Sequence, residues 1–164
     1  MVTVREQARQ DAAEFLRENW NGTIPVDPFK IAESLDLDLQ VTSLKPGVSG
    51  AIVADGNRTT ILVERSNSYE RKAFTCAHEL GHYVDRSKRN DAEYSFVDLR
   101  TDQKSYDAHE IYANEFAANL LMPPAEFMES VRTYGSDYAV AAEFAVSPAA
   151  VRTRRARLGL GTNG

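Results

Sequence analysis

The sequence of 164 residues contains one cysteine, three histidines and no long uninterrupted apolar segment. A single cysteine, Cys76, cannot form an internal disulfide, which argues against a disulfide-stabilised secreted domain. Charged residues interrupt every apolar run well before the roughly 20 residues that a transmembrane helix needs, so no membrane association is expected. The first residues lack the basic and then apolar layout of a secretory signal peptide. We therefore expect a cytoplasmic protein.

Basic residues are in the minority, with 19 lysines and arginines against 24 aspartates and glutamates and a net charge of −5. They cluster only near the carboxyl end, where the sequence from Val146 onward holds four arginines and no acidic residue. Nonspecific nucleic-acid binding needs clustered lysine and arginine. Only this last segment is therefore a candidate for contact with nucleic acid.

Hydrophobic periodicity predicts helices around a small group of strands. Alternation over 37–41, and two apolar runs at 50–54 and 60–63 around a turn, predict a strand and a β-hairpin. The polar stretch from 86 to 106 is predicted to be a long surface loop. We expect an α+β fold, with a small antiparallel sheet packed on two long helices. Residues 1–134 would form one domain, and residues 135–164 a helix-turn-helix-like module packed on it.

The residues that carry chemistry are His78-Glu79-Leu80-Gly81-His82, an H-E-x-x-H pentapeptide within a predicted helix. Residues four apart are separated by about 40° around a helix axis, so both imidazoles point to one place. That arrangement suits two corners of a zinc tetrahedron. Glu79, about 100° from His78, flanks the metal and is placed to act as general base. Two surface histidines are the alternative reading, and the apolar side of this helix disfavours it.

A catalytic zinc site has three protein ligands and one open position. On the next predicted helix, Glu110 is the candidate third ligand. Asn114 lies one turn further along, where it can accept a hydrogen bond from a zinc-bound histidine. Glu115 is the rival carboxylate and His109 the rival histidine. A donor that stabilises the transition state is also expected, and the candidates near the site in sequence are His109, Tyr106 and Tyr112.

Three segments extend the pattern beyond the pentapeptide: Arg71 to His82, Glu110 to Asn114, and Phe116 to Pro123. Together they read H-E-L-G-H followed by E-x-x-A-N-x-F-A-A-x-L-L-M-P. In these segments the chain resembles the ImmA/IrrE metallopeptidases of bacteria, their phages and mobile elements, and the resemblance covers about residues 60–160. One departure is Asp85, where many members carry a histidine.

The resemblance implies one Zn²⁺ held by His78, His82 and Glu110, a catalytic Glu79, and a gluzincin-like minimal peptidase core. It also implies a substrate class, because family members known to act as proteases cleave a helix-turn-helix repressor, usually encoded beside them. We therefore expect a zinc endopeptidase whose partner is such a repressor, of XRE type, or an antitoxin. Cleavage would release phage, mobile-element or stress genes.

Two other functions remain open from the sequence. One is a regulator that binds DNA or a repressor, with structural or vestigial zinc, and the other is a toxin-like partner of an antitoxin. DNA contact would involve Arg152 and Arg155 of the last predicted helix, although packing or partner docking is the favoured role of that segment. The strand Thr60–Val63 is either a core strand or an edge to which an extended substrate adds.

Overall fold

The computed structural model describes residues 1–100 and 107–161, and within them the predicted α+β class is confirmed. Its helices and strands, in chain order, are α1 (Val4–Asn19), α2 (Pro28–Ser34), β1 (Asp38–Thr42), β2 (Val48–Asp55), β3 (Thr59–Glu64), α3 (Tyr69–Lys88), β4 (Glu93–Leu99), α4 (Ala108–Leu121), α5 (Pro124–Thr133), α6 (Asp137–Phe144) and α7 (Pro148–Arg157). In the part of the chain described, none of the helices has the length and apolarity needed to cross a membrane.

The four strands form one mixed sheet in the order β1-β3-β2-β4. β2 pairs antiparallel with both β3 and β4, so that Ile52 lies opposite Ile61 on one side and Phe96 on the other. β1 instead pairs parallel with β3. The expectation of a wholly antiparallel sheet is therefore wrong. β1, β3 and β4 all run opposite to β2, and because β1 lies beside β3 rather than beside β2, it pairs with a strand that runs the same way.

β4 corrects the prediction of a long surface loop between 86 and 106. Along this strand half-buried residues alternate with exposed ones, and Tyr94, Phe96 and Asp98 face inward while Val97 and Leu99 face solvent. With one inward position taken by an acidic residue, the strand has too few apolar side chains for a clear period-two signal. β1 and β4 are the edges of the sheet. β3, considered above as a possible edge for substrate, lies inside it.

Helices α3 and α4 pack closely against each other through Gly81. A β-carbon added at Gly81 would lie 3.0 Å from the Cα of Ala113 and 3.2 Å from the Cβ of Phe116. α1 covers the other side of α4, where the rings of Phe15 and Phe116 meet edge to face at 5.5 Å. This close approach allows side chains of α3 and α4 to meet between the two helices.

Helices α6 and α7 are joined through Ala145, which has a left-handed conformation (φ 54°), and α7 begins after the N-cap Ser147. Two of the arginines of α7 hold this pair in place. Arg154 is buried and donates to the carbonyl oxygen of Met122, and buried Arg155 donates to Oδ1 of Asp137 at 2.8 Å. Arg155 is therefore not available to DNA, contrary to the role considered for it. The domain boundary after residue 134 stays a prediction.

Gly50 is a second position where the lack of a side chain matters. It lies on β2 facing α3, and an added β-carbon would lie 2.3 Å from Cγ2 of Thr75 and 2.8 Å from the Leu62 carbonyl oxygen. We expect Gly50→Ala to lower the free energy of unfolding by ~1–3 kcal/mol because a backbone atom must move. Urea denaturation measures the loss. Gly135→Ala is the matched control, since a β-carbon there meets nothing within 4 Å; equal stability of the two variants would contradict the prediction.

Candidate metal centre

The structure brings the three predicted ligands together. The ligand atoms of His78, His82 and Glu110 all lie within 4.8 Å of one another. The Nε2 atom of His78 lies 3.0 Å from Oε2 of Glu110, and the Nε2 atom of His82 lies 3.1 Å from Oε1. Both histidines are buried within α3, whereas Glu110, in the first turn of α4, is half-buried. One coordination face can thus remain open toward solvent.

The two Nε2 atoms have no hydrogen-bond partner among the residues described. Their distances to Glu110 are short enough for hydrogen bonds, but the directions do not satisfy hydrogen-bond geometry, so these are charge contacts rather than hydrogen bonds. A buried polar atom without a partner is costly, and natural proteins rarely keep several together without a use for them. Two unsatisfied imidazole nitrogens facing one carboxylate suit a divalent cation of the zinc type.

The two imidazoles are held in place in different ways. Nδ1 of His78 lies 2.8 Å from Oδ1 of Asn114, and the amide oxygen can only accept, so Nδ1 donates and the neutral ring would present Nε2 to a metal. The ring of His82 is instead stacked on Phe96, with centroids 4.0 Å apart and planes 4° from parallel. The guanidinium of Arg86 covers Phe96 at 5.2 Å. Sequence reasoning found Asn114 but missed Phe96, because β4 was not recognised.

Glu79 lies beside the three candidate ligands and is fully buried. Neither of its carboxylate oxygens has a hydrogen-bond partner within residues 1–100 and 107–161. Burial raises the pKa of Glu79 to about 8, with His78 acting against the shift and Asp98 and Glu110 adding to it. A carboxyl group held in this way is suited to taking and returning a proton near neutral pH.

Carboxyl groups and imidazoles shift one another's pKa in this cluster. Burial lowers the pKa of His78, but Glu110, Glu79 and Asp98 outweigh that effect and raise it to about 9. Burial raises the pKa of Glu110, but its contacts with the two histidines lower it well below the usual range. Asp98 was not singled out from the sequence, and its carboxylate lies within 4.8 Å of ligand atoms of His78 and Glu79. A divalent cation bound among three carboxyl groups and two imidazoles would favour ionised carboxylates and neutral imidazoles.

The rival carboxylate Glu115 and the candidate donor Tyr112 take part in contacts with α1. Glu115 is on the side of α4 facing α1, where its Oε1 accepts from Arg9 at 3.3 Å. The Tyr112 hydroxyl donates to Oδ2 of Asp11 at 2.6 Å, so it serves the packing of α1 on α4. His109 is half-buried beside Arg86 and Asp85, and its ring lies 5.8 Å from that of Phe96. Tyr106 lies outside the described residues.

Comparison with known proteins supports the resemblance seen in the sequence. The IrrE N-terminal-like domain matches residues 32–155. The chain belongs to this family. The "Uncharacterized immunity region protein 2" of Bacillus phage phi105 is 28% identical over 97 residues, or 59% of each protein. A Mycobacterium tuberculosis transcriptional regulator has the same fold, with a TM-score of 0.64 and 18% identity over 90% of this chain.

The chain spans only part of these two proteins, 59% of the phage protein and 46% of the mycobacterial one. The family is a peptidase family, and its peptidase character agrees with a candidate metal group made of two histidines and a glutamate. The functions of the whole phage protein and the whole regulator are therefore not assigned to this chain. For this chain, the family and the fold are established by these matches.

Substitution of Asn114 tests whether its contact with His78 supports zinc binding. Removing the partner of a metal-ligating histidine typically weakens metal binding about 10–100-fold. We expect Asn114→Ala to weaken zinc binding by that factor, measured by competition with a chromophoric chelator. Asn114→Asp keeps an acceptor oxygen at the same place and should bind zinc nearly as well as the unmodified protein. Equal zinc affinity of the alanine variant would show that His78 needs no such partner.

Proposed function

We propose that the protein is a zinc-dependent endopeptidase whose metal is held by His78, His82 and Glu110, with Glu79 as general base. The observation that supports this most directly is the meeting of two buried Nε2 atoms, both without hydrogen bonds, at the carboxylate of Glu110. The candidate metal position lies next to Glu79, and this favours a catalytic metal over a structural one. A closed structural site has no need of an unpaired buried carboxyl group. Membership of a peptidase family supports the same reaction.

A bound zinc ion would polarise the peptide carbonyl and lower the pKa of water toward about 7. The residues of the chain do the rest. Glu79 accepts a proton from the attacking water and donates it to the leaving amine. Asn114 keeps His78 in the tautomer that presents Nε2, and Phe96 fixes the plane of His82. The buried surroundings of Glu79 keep it from being solvated between these two transfers.

Strand β4 is the part of the sheet suited to an extended substrate. It is an edge strand, and its inward residues Phe96 and Asp98 lie against His82 and His78 respectively. Its outward residues Val97 and Leu99 are more than half exposed, at 56% and 55%. A peptide that adds to this edge would place its backbone beside the candidate metal position. The sequence analysis considered β3 for this role, but β3 is inside the sheet, so we propose β4 instead.

The proposed substrate is a helix-turn-helix repressor of phage, mobile-element or stress genes, or an antitoxin. Family membership supports a regulatory peptidase, and the phage relative is named for an immunity region. The direct test is to incubate the zinc-loaded protein with the repressor encoded beside its gene, with and without a chelator. We expect one defined cut that the chelator prevents and that added zinc restores. An intact repressor under all these conditions would contradict the proposal.

A second candidate is a regulator that binds DNA, and exposed Arg152 and Arg157 of α7 favour it. Its carboxyl-terminal helix pair would have to present these two arginines to phosphate, because Arg154 and Arg155 are engaged inside the protein. In a mobility-shift assay on operator DNA, Arg152→Ala would then weaken binding in a salt-dependent way. No shift by the unmodified protein would remove this candidate.

A further inference from the structure

A groove leads from the candidate metal centre to helix α7. It has a volume of ≈ 910 Å³ and is lined at one end by Asp98, Glu110 and Asn114. At the other end its lining includes Ala149, Ala150 and Thr153 of α7. The groove therefore reaches the candidate metal centre at Glu110, one of the three candidate ligands. Its far wall comes from a segment that the mechanism above does not use.

The walls of this groove carry charged side chains as often as apolar ones, and they are firmly supported. Phe74 of α3, Ile111 of α4 and Val146 before α7 contribute apolar surface. Arg154 and Met122 also line it, and the buried guanidinium of Arg154 donates to the Met122 carbonyl oxygen at 3.0 Å and to Oδ1 of Asn119 at 3.0 Å. These bonds fix α7 against the end of α4. A wall fixed in this way can select a substrate by shape.

We infer that α7 forms one wall of the polypeptide-binding groove of this enzyme, where it contacts an extended segment of the substrate. The carboxyl-terminal helix pair thus acts in substrate selection, with Ala149 and Thr153 as the exposed residues of the wall. The occupant is a polypeptide because the groove begins at Glu110 and Asn114, where the scissile bond is to be held. The volume approaches the upper end of the range for small-ligand pockets, about 300–1,000 Å³. This inference rests on the proposed peptidase function.

The first test fills the groove. Ala149→Trp places a large ring on the wall, and Ala142→Trp is the matched control because Ala142 is exposed on α6 and does not line the groove. With the repressor encoded beside its gene as substrate, we expect Ala149→Trp to lower kcat/KM at least about tenfold with zinc content unchanged. Ala142→Trp should cleave like the unmodified protein. Equal cleavage by the two tryptophan variants would overturn the inference and leave the peptidase function standing.

The second test detects binding without cleavage. Cys76 is fully buried, so a cysteine introduced by Thr153→Cys can be labelled selectively with a maleimide photo-crosslinker. On a Glu79→Gln background, we expect this label to crosslink the repressor encoded beside the gene, whereas the same label at Ala142→Cys does not. Equal crosslinking at both positions, or none at either, would overturn the inference. If the unmodified protein cleaves nothing, the peptidase function fails, and crosslinking at position 153 alone still supports the groove.

Discussion

Glu79→Gln is expected to reduce peptide cleavage by about 10²–10⁴-fold, the usual contribution of a general base. Glutamine has nearly the shape of glutamate, but it cannot accept the proton of the attacking water. Because Glu79 lies outside the group formed by His78, His82 and Glu110, the variant should still bind one zinc ion. The measurements are cleavage of the neighbouring repressor under single-turnover conditions and zinc content after dialysis.

Two comparisons make this result specific to Glu79. Glu18→Gln changes an exposed glutamate of α1 that has no part in the site, and it should cleave at the normal rate. His78→Ala should lose both zinc and cleavage, since it removes a ligand rather than the base. A Glu79→Gln protein with full activity would defeat the assignment of the base. A variant that loses zinc as well would instead make Glu79 part of the metal site.

The helices and the grouping of the candidate ligands could be predicted from the sequence because they depend on local spacing. His78 and His82 are four apart on one helix, and Glu110 and Asn114 are four apart on the next. The two pairs of residues come together only if α3 and α4 pack against each other. The small residues Gly81 and Ala113 meet at that contact, but the sequence does not state which helices are neighbours. The family resemblance supplied that step.

The sheet and the residues around the ligands could not be predicted in the same way. The order of strands depends on long-range pairing, and β1 beside β3 has no local signal. β4 was missed because Asp98 occupies an inward position where an apolar residue would be expected. Asp98 breaks the apolar pattern at the place where it faces His78 and Glu79, two residues of the candidate site. Sites of this kind break the local rules on which sequence prediction depends.

The C-terminal arginines show a different limit. Their clustering in the sequence left contact with nucleic acid open beside the favoured role in packing or partner docking, since charged side chains are seldom fully buried. The structure buries Arg154 at 2% exposure and Arg155 at 3% and pairs each with groups from other segments. Composition alone does not distinguish a basic surface from arginines that tie helices together. The partners Asn119, Met122 and Asp137 are 18 to 35 residues away in sequence.

Glu110→Gln should weaken zinc binding by more than about 100-fold, which exceeds the usual effect of losing a residue that only orients a ligand. An amide is a much weaker zinc ligand than a carboxylate, and the change also removes the negative charge that faces both imidazoles. The variant should keep its fold, because Glu110 is half-buried at the start of α4 and contacts the two histidines. Isothermal titration with a competing chelator measures the affinity.

Glu115→Gln is the matched control on the same helix. It changes the rival carboxylate, which pairs with Arg9 and not with the imidazoles. Because Glu115 is buried beside Asn119, its loss should lower thermal stability while zinc still binds stoichiometrically with normal affinity. Weaker zinc binding in Glu110→Gln, together with normal zinc binding but lower stability in Glu115→Gln, would show which face of α4 holds the metal. If Glu110→Gln retained full zinc affinity, the third ligand would have to come from elsewhere, and Asp98 would be the next candidate, since its carboxylate lies within 4.8 Å of a His78 ligand atom.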